Sequence, residues 1–150
     1  MTSTASSAPT EDELDMLVSI AIRRAELLDD LKSPMSANAW REVMAYEEHL
    51  ARITRPAEIA GGVARAGAVM AALAAGQRSD AQRLALQYLA EDALPSERRI
   101  VIERAIKEDA NRLAEHFPAL TKQGRLGWIT ELDMWRSNVL ARPHVFPCPA

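Results

Sequence analysis

Five residues spread along this 150-residue chain have the types from which an anion-binding or acid–base site is built: Arg24, Glu47, Asp109, His116 and Arg136. Each is read on a helical wheel at about 100° per residue. Arg24 then falls inside an apolar arc made by Leu14, Leu17, Val18, Ile20, Ala21, Leu27, Leu28 and Leu31. Glu47 falls inside a second arc, of Trp40, Val43, Tyr46, Leu50 and Ile53. Asp109 and His116 border a third, of Ile102, Ile106, Leu113 and Phe117. Arg136 lies within a fourth, of Trp128, Ile129, Leu132, Trp135, Val139 and Leu140. A charge inside an apolar arc is costly unless it is paired. Folding the first two segments back about residues 33–35 brings Arg24 and Glu47 to nearly the same level, and folding the last two does the same for Asp109 and Arg136. Two readings follow. The pairs fix helix register as interhelical ion pairs, or all five residues line a polar pocket in the core. The arginines of such a pocket would hold an anionic small molecule.

Other chemistry lacks the residues it needs. His144 and Cys148 have a metal-ligand spacing, but no second pair accompanies them. Cys148 stands between prolines, without a histidine and acid beside it to activate a thiolate, and as the single cysteine it has no intrachain disulfide partner. A di-iron bundle needs Glu-x-x-His, whereas His49 and His116 are preceded three positions back by Tyr46 and Leu113. There is no phosphate loop and no glycine-rich dinucleotide turn. The expectation is no metal, no cofactor and no catalytic residue.

The elements that must position these side chains are helices. Alanine is abundant, aromatic residues are 5% of the chain, and no strand-length alternating run is present. Residues 1–9 read as a disordered head, 10–142 as one helical domain and 143–150 as an extended tail broken by Pro143, Pro147 and Pro149. Within the domain the spacing predicts about six helices, arranged as three hairpins. The first spans about residues 11–32 and opens with Thr10 and Glu13 as a capping box. The second spans about 37–54. The third has Pro56 in its first turn and Gly76 as its C-terminal stop. The fourth spans about 79–93 and opens with a capping box of Ser79 and Gln82; the fifth runs from Pro95 and Ser96 to Pro118. The sixth, its start blurred by Gly124 and Gly127, reaches about residue 141.

The third segment, EIAGGVARAGAVMAAL from Glu58 to Leu73, resembles the helix-turn-helix pattern of bacterial regulators, with Gly61 and Gly62 at the turn and Ala64 where that pattern places glycine. The resemblance implies a DNA-binding reading in which Arg52, Arg55 and Arg65 grip phosphates or base edges. On the wheel, Ile59, Val63, Ala66, Met70 and Leu73 make a large apolar face. Ala60, Ala64, Gly67, Ala71 and Ala74 make a small-residue face, and Glu58 and Arg65 share the remaining side. This composition predicts a central core helix whose small face lets neighbouring backbones approach closely, rather than a membrane span, since Arg65 interrupts a run of weakly inserting alanine and glycine. Separately, LVSIAIRRAELLDDLK in the first helix resembles the first helix of helical chorismate mutases, which hold a dianion with basic side chains; the position of their lysine falls on Met35.

A net charge of −3 gives no overall field toward nucleic acid or anionic lipid. Arginine outnumbers lysine 15 to 3, which hints at a GC-rich bacterial genome. No basic-then-apolar leader opens the sequence, so a cytoplasmic protein is expected. The leading expectation is a small helical protein-interaction or regulatory module, self-associating as a homodimer or binding a protein partner. Val145 and Phe146 of the tail are its docking candidates. The enzyme or anion-binding pocket and the DNA-binding regulator are the alternatives.

Overall fold

The computed structural model describes residues 7–116. Over them it is all-helical, with five helices: α1 (Glu11–Asp30), α2 (Ser36–Ile53), α3 (Ile59–Ala74), α4 (Arg78–Leu89) and α5 (Ser96–His116). The expected sixth helix with Arg136, the tail with Val145, Phe146 and Cys148, and most of the head lie outside the described residues. The chain divides into two compact units, residues 1–103 and 104–150, with the boundary inside α5. In the first unit α1 packs on α2, α2 on α3 and α3 on α4. In the described part of the second, Ile106, Asp109 and Ala110 are buried. No helix among the described residues is long and apolar enough to cross a membrane.

Local chemistry sets the helix ends. The Thr10 hydroxyl accepts from the Glu13 backbone N–H and the Glu13 carboxylate accepts from the Thr10 N–H, so the first capping box forms as its spacing predicts. At the other end of α1, Lys32 takes a left-handed φ of 49°. Its N–H reaches the Asp29 carbonyl, and the Ser33 N–H reaches that of Leu28, closing the helix before it can run on into α2. Asp29 then ties the hairpin: its carboxylate accepts from the Trp40 indole N–H at 2.6 Å and from the Ser36 hydroxyl. These two bonds hold the Asp29 carboxyl below its usual range.

Two predicted helix starts are corrected. Pro56 precedes α3 rather than opening it; the chain makes a turn from Arg55 to Glu58, and the helix begins at Ile59 with Glu58 as its cap. The Ser79–Gln82 capping box does not form: α4 begins one residue earlier, at Arg78, behind an uncapped Gln77. Gln77 lies there because the turn at Gly76 (φ 72°) closes α3 with bonds from Gly76 to the Leu73 carbonyl and from Gln77 to the Ala72 carbonyl. α4 also ends at Leu89, short of the expected residue 93. Arg99 takes the carbonyl oxygens of Leu89, Glu91 and Leu94, fixing a turn that delivers the chain to Pro95.

The core of the first unit is built from small residues. Ala21 and Ala25 of α1, Ala39 and Val43 of α2 and Ala71 of α3 are all buried, with Ile22, Leu28, Trp40, Met44 and Tyr46 packed round them. α3 turns its small-residue side inward, as a central core helix with a small face predicts; Arg65, expected on the remaining side with Glu58, is buried with it. Ile59 is 84% exposed, and Val63 and Met70 also face out. Gly61, Gly62, Ala64, Arg65, Ala66, Ala68, Val69, Ala71 and Ala72 face in. The reason is close approach: a Cβ on Gly61 would overlap the Arg55 carbonyl oxygen, and one on Gly67 would overlap the Glu47 carboxylate. A helix held that near its neighbours buries its short side chains and turns the long ones outward.

Candidate functional site

Three features of the first unit could carry function: a buried arginine in α3, a buried glutamate in α2 and an exposed apolar stripe on α1.

Arg65 is 5% exposed, at the centre of α3. Its Nε donates to Glu91 Oε2 at 2.8 Å, and Nη1 donates to the Gly61 carbonyl at 2.9 Å. Nη1 and Nη2 both donate to the Thr54 carbonyl at 3.3 Å. The guanidinium carbon sits 5.6 Å from the centre of the Tyr88 ring, within cation–π range. One side chain therefore joins the end of α2, the first turn of α3, the Tyr88 ring of α4 and the loop after it. The carbonyl of Thr54 is held where the chain leaves α2 and needs a donor. Burial, with Glu48 nearby, pushes the Tyr88 phenol up to about 12. This arrangement is an anchor, with its donors spent on the protein itself.

That geometry corrects the helix-turn-helix reading. Gly61 and Gly62 lie inside the first turns of α3 and make no turn between helices. Arg65 points into the protein. Arg52 and Arg55 are exposed and lie in ion pairs with Glu48 at 3.6 Å and Glu58 at 3.9 Å.

Glu47 is 4% exposed, with its carboxylate against Gly67 of α3. Burial, and then the nearby Asp15 carboxylate, push its pKa up to about 7. Arg24 does not neutralise it. Arg24 is exposed and its Nη2 donates to Glu42 Oε2 at 2.6 Å, while the Tyr46 hydroxyl donates to the other oxygen of Glu42 at 3.2 Å. The expected Arg24–Glu47 pair is thus replaced by Arg24–Glu42, five residues earlier on α2 and at the surface. The long guanidinium reaches water at the arc's edge instead of entering the core. Of the other pocket residues, Asp109 is buried, and His116 is exposed with its Nδ1 2.9 Å from the Arg112 carbonyl oxygen. Arg136 lies outside the described residues. The structure therefore does not bring Arg24 and Glu47 together as a pocket wall. Among the described residues no three His, Cys, Asp or Glu side chains gather as metal ligands would.

The third feature escaped the wheel reading, because Ile20, Leu27 and Leu31 were assigned with the buried residues to one broad arc and Met16 to none. Leu14, Val18, Ala21 and Ala25 are buried. Met16, Ile20, Leu27 and Leu31 lie on the opposite side of the helix, between 58% and 69% exposed. Their spacing of 4, 7 and 4 positions keeps all four within a stripe about 60° wide. Ser19, Arg23, Glu26 and Asp30 line one edge of it. The signal was present in the sequence as an apolar arc about 200° wide, more than one packed neighbour can cover. No protein-family model, no curated protein and no solved structure matches this chain, so the outer face of α1 and the buried charges of α2 and α3 are the observations on which its function must be read.

Proposed function

We propose that the protein is a helical protein-interaction module that docks through the outer face of α1. The observation that carries this reading is the stripe of Met16, Ile20, Leu27 and Leu31, exposed on a helix whose other side is already packed on α2. Singly exposed apolar residues are ordinary, but four large ones aligned on one helix face are the pattern by which a helix meets a partner. The α3 residues Ile59, Val63 and Met70 offer a second, shorter stripe. The arginines that would serve an anion or DNA site are engaged otherwise, Arg65 in the core and Arg24 with Glu42.

The test is a double substitution, Ile20→Glu with Leu27→Glu. On this reading the variant keeps the wild-type melting temperature, because both positions face water, and loses association. A large fall in melting temperature would show that the stripe belongs to the protein's own core and would end the proposal.

A further inference from the structure

We infer that the partner of the α1 stripe is a second copy of the same helix, laid antiparallel about a two-fold axis that passes between Arg23 and Arg24; this rests on the interaction reading above and names its partner. The argument begins with the pattern. About that midpoint Met16 is the counterpart of Leu31, and Ile20 is the counterpart of Leu27. An antiparallel copy in this register sets every large apolar side chain of the stripe opposite another, and leaves none facing a charge. A stripe without this symmetry would satisfy a heterologous partner equally well. Self-complementarity is what an isologous interface requires.

The charged edge agrees with the same register. A two-fold axis lying in the interface places like edges together, so Arg23 and Glu26 of one copy meet Arg23 and Glu26 of the other. Glu26 of the second copy comes level with residue 21 of the first, about 3 Å along the axis from Arg23 at a rise of about 1.5 Å per residue. Each Arg23 then lies about 1.5 Å in level from the other Arg23 and about 3 Å from Glu26 of the other copy, so two opposite-charge contacts outweigh one like-charge contact. Both side chains are exposed, and neither makes an ion pair or hydrogen bond among the described residues. Arg24 is turned away to Glu42 and does not crowd the axis. The opposite face of α1 is occupied by α2, so the pairing needs no rearrangement of the hairpin.

The experiment uses the full chain. Sedimentation equilibrium from about 1 to about 200 μM spans the range in which a stripe this narrow would associate. The wild type is expected to be dimeric in that range, and Ile20→Glu with Leu27→Glu to be monomeric with an unchanged melting temperature. Arg23→Glu alone and Glu26→Arg alone should each weaken the dimer about tenfold, by like-charge contact across the axis. An equal mixture of the two single variants should associate at wild-type strength, because each supplies the charge the other lacks. In a Cys148→Ser background, Ile20→Cys mixed with Leu27→Cys should give a disulfide-linked pair on oxidation, and Ile20→Cys alone should not. A mixture no stronger than its components, or cross-linking of Ile20→Cys with itself, overturns this register. A monomeric wild type overturns the second copy as partner. If the double glutamate variant is then as stable as the wild type, the stripe remains free for a different protein; if it unfolds, the interaction reading fails as well.

Discussion

α1 and α3 both turn large apolar side chains toward water, yet they treat their arginines in opposite ways. Arg24 sits between Ile20 and Leu27 in an apolar stretch and ends at the surface, against Glu42. Arg65 sits among alanines and glycines and ends in the core. Local hydropathy therefore did not decide which arginine was buried; the supply of acceptors and the space did. Around Arg65 the chain leaves α2, turns and enters α3, exposing the carbonyl of Thr54, and Glu91 arrives from the loop after α4. A guanidinium with five donors answers those acceptors at once. Along α1 the backbone acceptors are already used by the helix, so an inward arginine would find nothing to bond.

The difference is broken most directly at Arg65. Arg65→Met keeps the length of the side chain and removes every donor. It leaves Glu91 without its cation and the Thr54 carbonyl without its side-chain donor, and removing one member of a buried ion pair costs about 3–5 kcal/mol. Urea denaturation should show a loss of that order. Arg65→Glu, which a surface position would tolerate, should be worse, since it adds a second carboxylate beside Glu91. A loss below about 1 kcal/mol, the range of surface pairs, would mean that Arg65 is solvated in solution.

Glu47 sharpens the comparison, because it is the charge the core accepts without a cation. Burial, with Asp15 nearby, pushes its pKa in the folded protein up to about 7, well above the ordinary glutamate value. The folded state holds the proton more tightly than the unfolded chain does. The stabilisation is therefore complete below about pH 4.5 and is lost as pH rises through about 7. The difference corresponds to about 3 kcal/mol across the interval. Glu47→Gln should match the wild type near pH 4 and exceed it at pH 8 by most of that amount, because the amide carries no charge to desolvate. The measurement is the difference in urea midpoint between the two proteins at each pH. Equal midpoints at pH 8 would show that Glu47 ionises at no cost, and so is solvated.

The fold class, the five described helices and the stop at Gly76 were readable from spacing, proline and glycine, because those signals are local. The inward turn of α3's small-residue side was readable too, because alanine and glycine there let a neighbour approach closely. The burial of Arg65 was not, since the wheel sets it with Glu58 on the remaining side. How closely α3 is approached is set by Gly61 against the Arg55 carbonyl and Gly67 against Glu47, contacts between residues that are far apart on any wheel. Glu47 was readable as a buried acid, since it interrupts the arc of Val43 and Leu50. That Arg24 leaves it for Glu42 was not, because Glu42 stands about 140° round α2 from Glu47 and outside the apolar arc that suggested the pair. The outer stripe of α1 was within reach: its arc exceeds the width that a single hairpin partner can cover.

The smallest effect is expected at Arg24 and Glu42. Their contact is short, 2.6 Å, but both side chains are well exposed, at 58% and 37%. Water competes for each charge, and two long side chains lose freedom in holding one geometry, so such pairs contribute between about 0.2 and 1 kcal/mol. Arg24→Met and Glu42→Gln should each cost less than about 1 kcal/mol, and a double-mutant cycle should return a coupling in the same range. The coupling should shrink between low and about 1 M salt, where the screening length falls to about 3 Å. Glu42 has a second role that Arg24 lacks, because it also accepts from the Tyr46 hydroxyl. Glu42→Leu should therefore cost more than Arg24→Met, and Tyr46→Phe should remove the excess. A coupling of several kcal/mol, insensitive to salt, would place the pair in the core after all, and with it the expectation that Arg24 is a buried charge like Arg65.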